Sequence, residues 1–188
     1  MTGRGLDVWS WFERMSGRAG KRSDGGCDAV KRIGVTGHRG IPAEARAHIR
    51  AGLRAVLRGH QGSMEALSSL AVGADQLFAD IALDCGAELT AVIPSGDYEQ
   101  GFTDPEELAQ YRRLKALATR EVRLAFPYST DEAYYAAGAY IADHCDRLLA
   151  VWDGLPARGH GGTGDIVRYA RDLGKPVTVI WCEGLKRD

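Results

Sequence analysis

Six short β-branched or apolar runs alternate with five segments of helical period between Arg32 and Trp181, and this alternation limits the fold more than any other feature of the chain. The runs are Ile33–Thr36, Met64–Val72, Leu89–Ile93, Val122–Phe126, Arg147–Trp152 and Val177–Trp181. Helices are predicted near 42–58, 75–86, 104–119, 131–145 and 164–173. Ile49, Leu53, Val56 and Leu57 line one face of the first, and Ile166, Tyr169, Ala170 and Leu173 one face of the last. Gly174 and Pro176 then stop that helix and begin the final strand. Strands joined through helices pair in parallel, because the crossover carries the chain back to the end of the sheet it left. The predicted class is therefore α/β: a doubly wound, mostly parallel sheet of six or seven strands with helices on both faces.

Residues 31–188 suffice for one domain with a full core, in a chain that is 45% hydrophobic. Residues 1–30, rich in Gly, Ser and Arg, read as a tail with a linker at Gly20–Asp28. Within the tail, Val8, Trp11, Phe12 and Met15 share one helical face, which calls for its own domain, a second copy or another partner to cover it. A formal net charge of -1 sets up no field strong enough to neutralise a long phosphate backbone, so extended nucleic acid is not expected as a partner. A small anion needs only local positive potential and stays compatible. The four cysteines, at 27, 85, 145 and 182, show no CxxC spacing and read as thiols of a reducing cytoplasm. No apolar run approaches the roughly 18 residues a membrane span requires, and no signal peptide is evident, so a cytoplasmic protein without a membrane partner is expected.

Doubly wound sheets bind ligands beyond the carboxyl ends of their strands. The residues that follow each run are Gly37, His38, Arg39 and Gly40; Gly73, Ala74 and Asp75; Pro94, Ser95, Gly96 and Asp97; and Pro127 and Tyr128. The fifth run leads into VWDGLPARGHGGTGDIVRYA, residues 151–170, which combines a strand end, a loop with five glycines and an amphipathic helix starting near Thr163 or Asp165. A glycine loop entering a helix presents unpaired backbone N–H groups to an anion, and Thr163 can cap the helix and bond a phosphate oxygen. Gly161, Gly162 and Thr163 are thus the candidate phosphate loop, although GHGGTG fits neither the dinucleotide fingerprint nor the P-loop spacing.

Arg39 offers a planar, permanently charged fork to a phosphate, and His38 can donate or accept near neutral pH. Asp75 and Asp153 each have two readings: a helix cap or a turn former, or an acceptor for ribose or base donors. Arg46, Arg50, Arg54 and Arg58 recur every four residues and set a ridge of guanidiniums on one helix, read as a solvated face or as the seat of an acidic partner or a crossing subunit. The five histidines are scattered, no metal signature or GxSxG elbow occurs, and neither a metal nor a resident cofactor is expected.

GVTGHR after the first strand, LAVGADQLFADIAL at the second crossover, AVIP at the third strand, and DRLLAVWDG followed by GGTGDIVRYARDLGKPV resemble the SLOG superfamily. The resemblance covers residues 31–183 and takes in the LOG phosphoribohydrolases, YpsA-type proteins and the Rossmann-like part of DNA-processing protein A. It implies a Rossmann-like domain, commonly dimeric, that binds nucleotides or nucleotide-derived ligands at the glycine loop. LOG enzymes carry PGGxGTxxE, whose Glu helps to cleave the N-glycosidic bond of a nucleoside monophosphate. Here His160 stands at the Pro, Asp165 at the Thr, and Val167 and Arg168 fall at the acidic position; the catalytic Arg of an ER pair falls on Ala136 and Ala137.

The expected function is binding of a nucleotide or nucleotide-like small molecule, as in a sensor. Phosphate would sit on Gly161, Gly162 and Thr163; Gly37, His38, Arg39, Gly73, Ala74, Asp75, Pro94 and Asp153 complete the expected ligand rim. One alternative is an N-glycosidase, for which Asp75, Asp153 and Asp165 are the candidate acids. The other is an interaction module using the Trp11 and Phe12 face and the arginine ridge.

Overall fold

The computed structural model describes residues 30–59, 62–157 and 159–187. The Val8, Trp11, Phe12 and Met15 face and the linker lie outside the described residues. Six strands form one parallel sheet: β1 (Lys31–Gly37), β2 (Met64–Ser68), β3 (Glu88–Ser95), β4 (Arg120–Phe126), β5 (Arg147–Val151) and β6 (Val177–Val179). Five α-helices alternate with them: α1 (Ala43–Arg58), α2 (Ala74–Asp84), α3 (Pro105–Leu117), α4 (Asp131–His144) and α5 (Thr163–Asp172). One 3-10 turn, Tyr98–Gly101, precedes α3.

Period-two alternation along the strands divides the core. Ile33 and Val35 of β1, Leu89 and Ile93 of β3, and Leu149 and Val151 of β5 face one side, packed with Ile49 and Leu53 of α1, Phe78 of α2 and Tyr111 of α3. Leu67, Val92 and Leu148 face the other side, against Ala137 and Ile141 of α4 and Ile166 and Ala170 of α5. The sheet is thus covered on both faces, as its all-parallel pairing requires. Local chemistry starts the helices where the pattern predicts: Asp104 caps α3 by accepting from the N–H groups of Glu106 and Glu107, and Thr130 caps α4 by accepting from Ala133. Leu173 ends α5 as its C-cap and is 44% exposed instead of completing the apolar face.

Two sequence expectations change. The second strand was expected to reach Val72 but ends at Ser68, because Leu70 adopts a positive φ of 58° and turns the chain. The turn is held by the Ser68 hydroxyl, which accepts the Leu70 N–H at 3.0 Å, and by Asp75, which accepts the Ser69 N–H at 3.1 Å. An apolar run cannot reveal this, since Leu70 is as fully buried in the turn as a core strand residue would be. Asp75 is therefore no helix cap: Gly73 precedes α2, with no side-chain cap.

The strand order is β4-β3-β2-β1-β5-β6. The chain builds outward from β1 through β4, then crosses to the opposite side of β1 to lay down β5 and β6. The order reverses between β1 and β5, so the loops after these two strands part and leave a crevice at their carboxyl ends.

Candidate functional site

The crevice encloses about 420 Å³. Its floor is the end of β1, Val35 to Gly37; one wall is the loop ending in Gly161, Gly162 and Thr163; the other holds Ser69, Ala71 and Asp75 from the start of the second crossover, with Pro94 from β3. A roof comes from α4, whose Tyr134, Gly138 and Ile141 share one face.

Of the residues singled out in the sequence, Gly37, His38, Arg39, Asp75, Pro94, Gly161, Gly162 and Thr163 are brought together around this cavity. Gly73, Ala74, Asp153 and Asp165 stand outside its lining. Gly73 has φ +88°, and a Cβ there would fall 2.3 Å from the Arg39 carbonyl oxygen, while the Ala74 N–H donates to the His38 carbonyl at 3.1 Å. These two residues hold the loop after β1 from behind.

Asp153 supports the site from within the protein. Its side chain is fully covered; it lies 3.0 Å from His38 Nε2, accepts the Leu155 N–H at 3.0 Å, and faces the Arg187 guanidinium at 3.6 Å. Burial pushes the Asp153 carboxyl up, but the Leu155 N–H and the His38 contact outweigh it and hold the group below the usual carboxylate range. Asp165 is engaged as well: it accepts the Gly161 N–H at 3.2 Å and the Arg168 guanidinium at 3.2 Å.

Gly161, at φ +82°, lets the loop lie on the first turns of α4, where a Cβ would sit 2.7 Å from the Tyr135 nitrogen. Beside it, His160 stacks on Tyr135 at 4.7 Å. Gly162 is the N-cap of α5 and Thr163 its first helical residue, so Thr163 is not the cap the sequence suggested. The Gly162 N–H is taken by the Gly159 carbonyl at 3.2 Å. The N–H groups of Thr163 and Gly164 have no acceptor among the described residues.

Across the cavity, burial raises the Asp75 carboxyl from 3.8 to about 6, against the lowering effect of the Ala71 and Ser69 N–H groups and the Arg39 charge. Burial also raises the Tyr98 phenol, with the Asp75 charge adding to it. The Arg39 guanidinium rests 5.5 Å from the centre of the Tyr134 ring.

Sequence reasoning missed Arg187, Tyr98, Asp131 and the α4 face. Arg187 reaches the cavity from the segment after β6; one of its terminal nitrogens donates to the Pro156 carbonyl at 2.7 Å, and its Nε has no partner among the described residues. A lone cation near the end of the chain gives no periodic signal. Tyr134, Gly138 and Ile141, at i, i+4 and i+7, did carry one. Asp97 turns away into hydrogen bonds with Ser95 and Ser129, beside a separate cavity of about 200 Å³. The arginine ridge stays on the outer face of α1, with Arg54 paired to Asp84 at 3.4 Å. No cluster of metal-ligating side chains occurs among the described residues. Nor is any described helix long and apolar enough to cross a membrane.

No protein-family model and no curated protein matches the sequence. Solved structures do match. DNA processing protein A of Streptococcus pneumoniae superposes with a TM-score of 0.60 at 19% identity, over 80% of this chain and 50% of that one. DNA processing protein A of Helicobacter pylori gives 0.59 at 15% identity, over 86% and 70%. The shared feature is the α/β Rossmann-like fold. A molybdenum cofactor binding protein of Rippkaea orientalis shares this fold with a TM-score of 0.52 at 15% identity, over 81% and 77% of the two chains. The chain spans about half the length of the pneumococcal protein.

These comparisons correct one expectation. Extended nucleic acid was excluded on the net charge of -1, yet the Helicobacter pylori protein, which shares this fold, binds single-stranded DNA. Net charge is a sum over the whole chain, whereas a single strand is held by local cations and stacking rings. A near-neutral total therefore does not exclude such a partner on this fold.

Proposed function

We propose that the crevice between β1 and β5 binds a nucleotide or nucleotide-derived small molecule by its phosphate. The observation that supports this reading is the start of α5, where the Thr163 N–H has no acceptor among the described residues and Thr163 lines a cavity that also holds Arg39. Helix N-termini carry partial positive charge and oriented donors, and a neighbouring guanidinium adds a full charge. On the far wall, the Asp75 carboxyl and the Tyr98 phenol offer an acceptor and a donor for sugar hydroxyls or a base edge. The relatives accommodate a cofactor in one case and single-stranded DNA in another, so the fold alone selects no ligand.

Isothermal titration against nucleoside mono- and diphosphates and cyclic nucleotides tests this reading. Binding of at least one class is expected, weakened about tenfold or more in Arg39→Gln through loss of a charge-assisted hydrogen bond. Failure of the whole panel removes the reading. A second reading, N-glycosidase action on a nucleoside 5′-monophosphate, now rests on Asp75, because among the three sequence candidates it is the one that lines the cavity, and its raised carboxyl suits proton donation near neutral pH. Release of free base that disappears in Asp75→Asn would favour it.

A further inference from the structure

The wall of the crevice opposite the glycine loop carries a row of hydrogen-bonding groups. Asp75 is 7% exposed, and its carboxylate accepts the N–H groups of Ser69, at 3.1 Å, and Ala71, which hold it in place at the start of α2. An ionised carboxylate has roughly four acceptor positions, so about two remain for the cavity. Tyr98, 4% exposed, has no hydrogen-bond partner among the described residues and borders both this cavity and the smaller one beside Ser95. The charges that act most on its hydroxyl are those of Asp75 and Arg39, which puts the O–H on the side of the larger cavity. Arg39 lies over the Tyr134 ring, whose centre is 6.3 Å from that of Tyr98. Asp75 is thus an acceptor short of donors, and Tyr98 and Arg39 beside it are donors short of an acceptor.

The remaining acceptor positions of a carboxylate match two parallel N–H groups, and the flanking donors match a carbonyl. Among the nucleobases, guanine carries that row on one edge: the 2-amino group, N1–H and the C6 carbonyl. Adenine sets a lone pair, at N1, where Asp75 needs a donor, and cytosine does so at N3. Uracil and thymine offer a single N–H between two carbonyls. A buried carboxylate that meets a lone pair loses its hydrogen bonds and repels the base, so a near match is rejected strongly. We propose that Asp75 and Tyr98 make the crevice selective for an amino, N–H and carbonyl edge, so that its ligand is a guanine nucleotide. The phosphate-loop reading above supplies the other end of that ligand, and the inference rests on it there. Pterins carry the same edge and are the second source of this chemistry.

Isothermal titration of the full chain at pH 7.5, above the Asp75 value of about 6, is the test. Guanosine 5′-monophosphate is expected to bind about tenfold or more tightly than the adenosine and inosine monophosphates, inosine lacking only the amino group. Asp75→Asn replaces one acceptor oxygen by an N–H donor. It should therefore favour xanthosine monophosphate, which has a carbonyl in place of the amino group, over guanosine monophosphate. Tyr98→Phe should weaken the guanosine and inosine monophosphates by one common factor, about tenfold, because both present the C6 carbonyl. Binding of neopterin with none of guanosine monophosphate would assign the same edge to a pterin. Equal affinity for guanosine and adenosine monophosphates, or a guanine preference that survives Asp75→Asn, overturns the inference and leaves the phosphate-loop reading standing. Guanosine binding as tightly as its monophosphate keeps the inference and removes the phosphate-loop reading. If guanosine, its monophosphate and neopterin all fail to bind, both fall.

Discussion

Asp165 accepts the backbone N–H of Gly161 at 3.2 Å, so a carboxylate in the first turn of α5 ties down the glycine loop that leads into that same helix. The sequence offered Asp165 as a candidate acid, but the structure places it as a brace, 21% exposed and shared with Arg168. Asp165→Ala is expected to lower stability by about 1–2 kcal/mol in urea unfolding, from one lost charge-assisted hydrogen bond and a favourable charge at a helix N-terminus. Ligand affinity should fall with it as the loop loosens.

Gly161 is the other half of that brace. Gly161→Ala puts a Cβ at φ +82° and 2.7 Å from the Tyr135 nitrogen, so the loop must leave α4. A loss of about 2 kcal/mol or more is expected from backbone strain and the steric clash together. A melting temperature equal to that of the parent would show that the loop does not lie on α4 in solution.

Asp75 sets a pH dependence whose sign is opposite to that of a paired carboxylate. Its folded value of about 6 lies above the ordinary 3.8, so the folded state holds the proton more tightly than the unfolded chain. Stability from this group is greatest below about pH 4 and declines as pH rises toward 6, by a total of about 3 kcal/mol for a shift of roughly two pH units. Asp75→Asn should therefore be more stable than the parent at pH 7.5, with the advantage shrinking toward pH 4.5. Urea midpoints at the two pH values check this; an advantage that grew on acidification would contradict it.

Asp153 behaves in the opposite sense. Its carboxyl is held below its ordinary value, so it contributes stability above the unfolded-state range and loses it as pH falls through the lower folded value. Asp153→Ala strands the Leu155 N–H and takes away the carboxylate that faces His38 Nε2 and Arg187, and a loss of about 2–3 kcal/mol is expected at neutral pH. Differential scanning calorimetry of Asp153→Ala and Arg187→Met tests whether the C-terminal segment belongs to the folded unit: Arg187→Met should lower the melting temperature too, by a smaller amount.

Arg39 is expected to matter for ligand alone. It is exposed, and its contact in the protein is the Tyr134 ring at 5.5 Å, so Arg39→Gln should change stability by less than about 0.5 kcal/mol while weakening anion binding. Equal losses of stability and binding would mean that Arg39 is structural.

The sequence by itself determined the five helices, the six strands and the parallel class, because hydrophobic period is local and a buried parallel sheet imposes it on every element. It also placed Gly37, His38, Arg39, Asp75, Pro94 and the Gly161–Thr163 loop on the rim where the strand ends meet. Tertiary structure decided what those residues do. Leu70 left the second strand through a positive φ that an apolar run does not advertise. The pairing of β1 with β5 put His38 against Asp153, 115 positions away, and the return of the C-terminal segment added Arg187 to both Asp153 and the cavity. Contacts between distant segments leave no period in the chain; they exist only once the sheet has fixed which loops lie side by side.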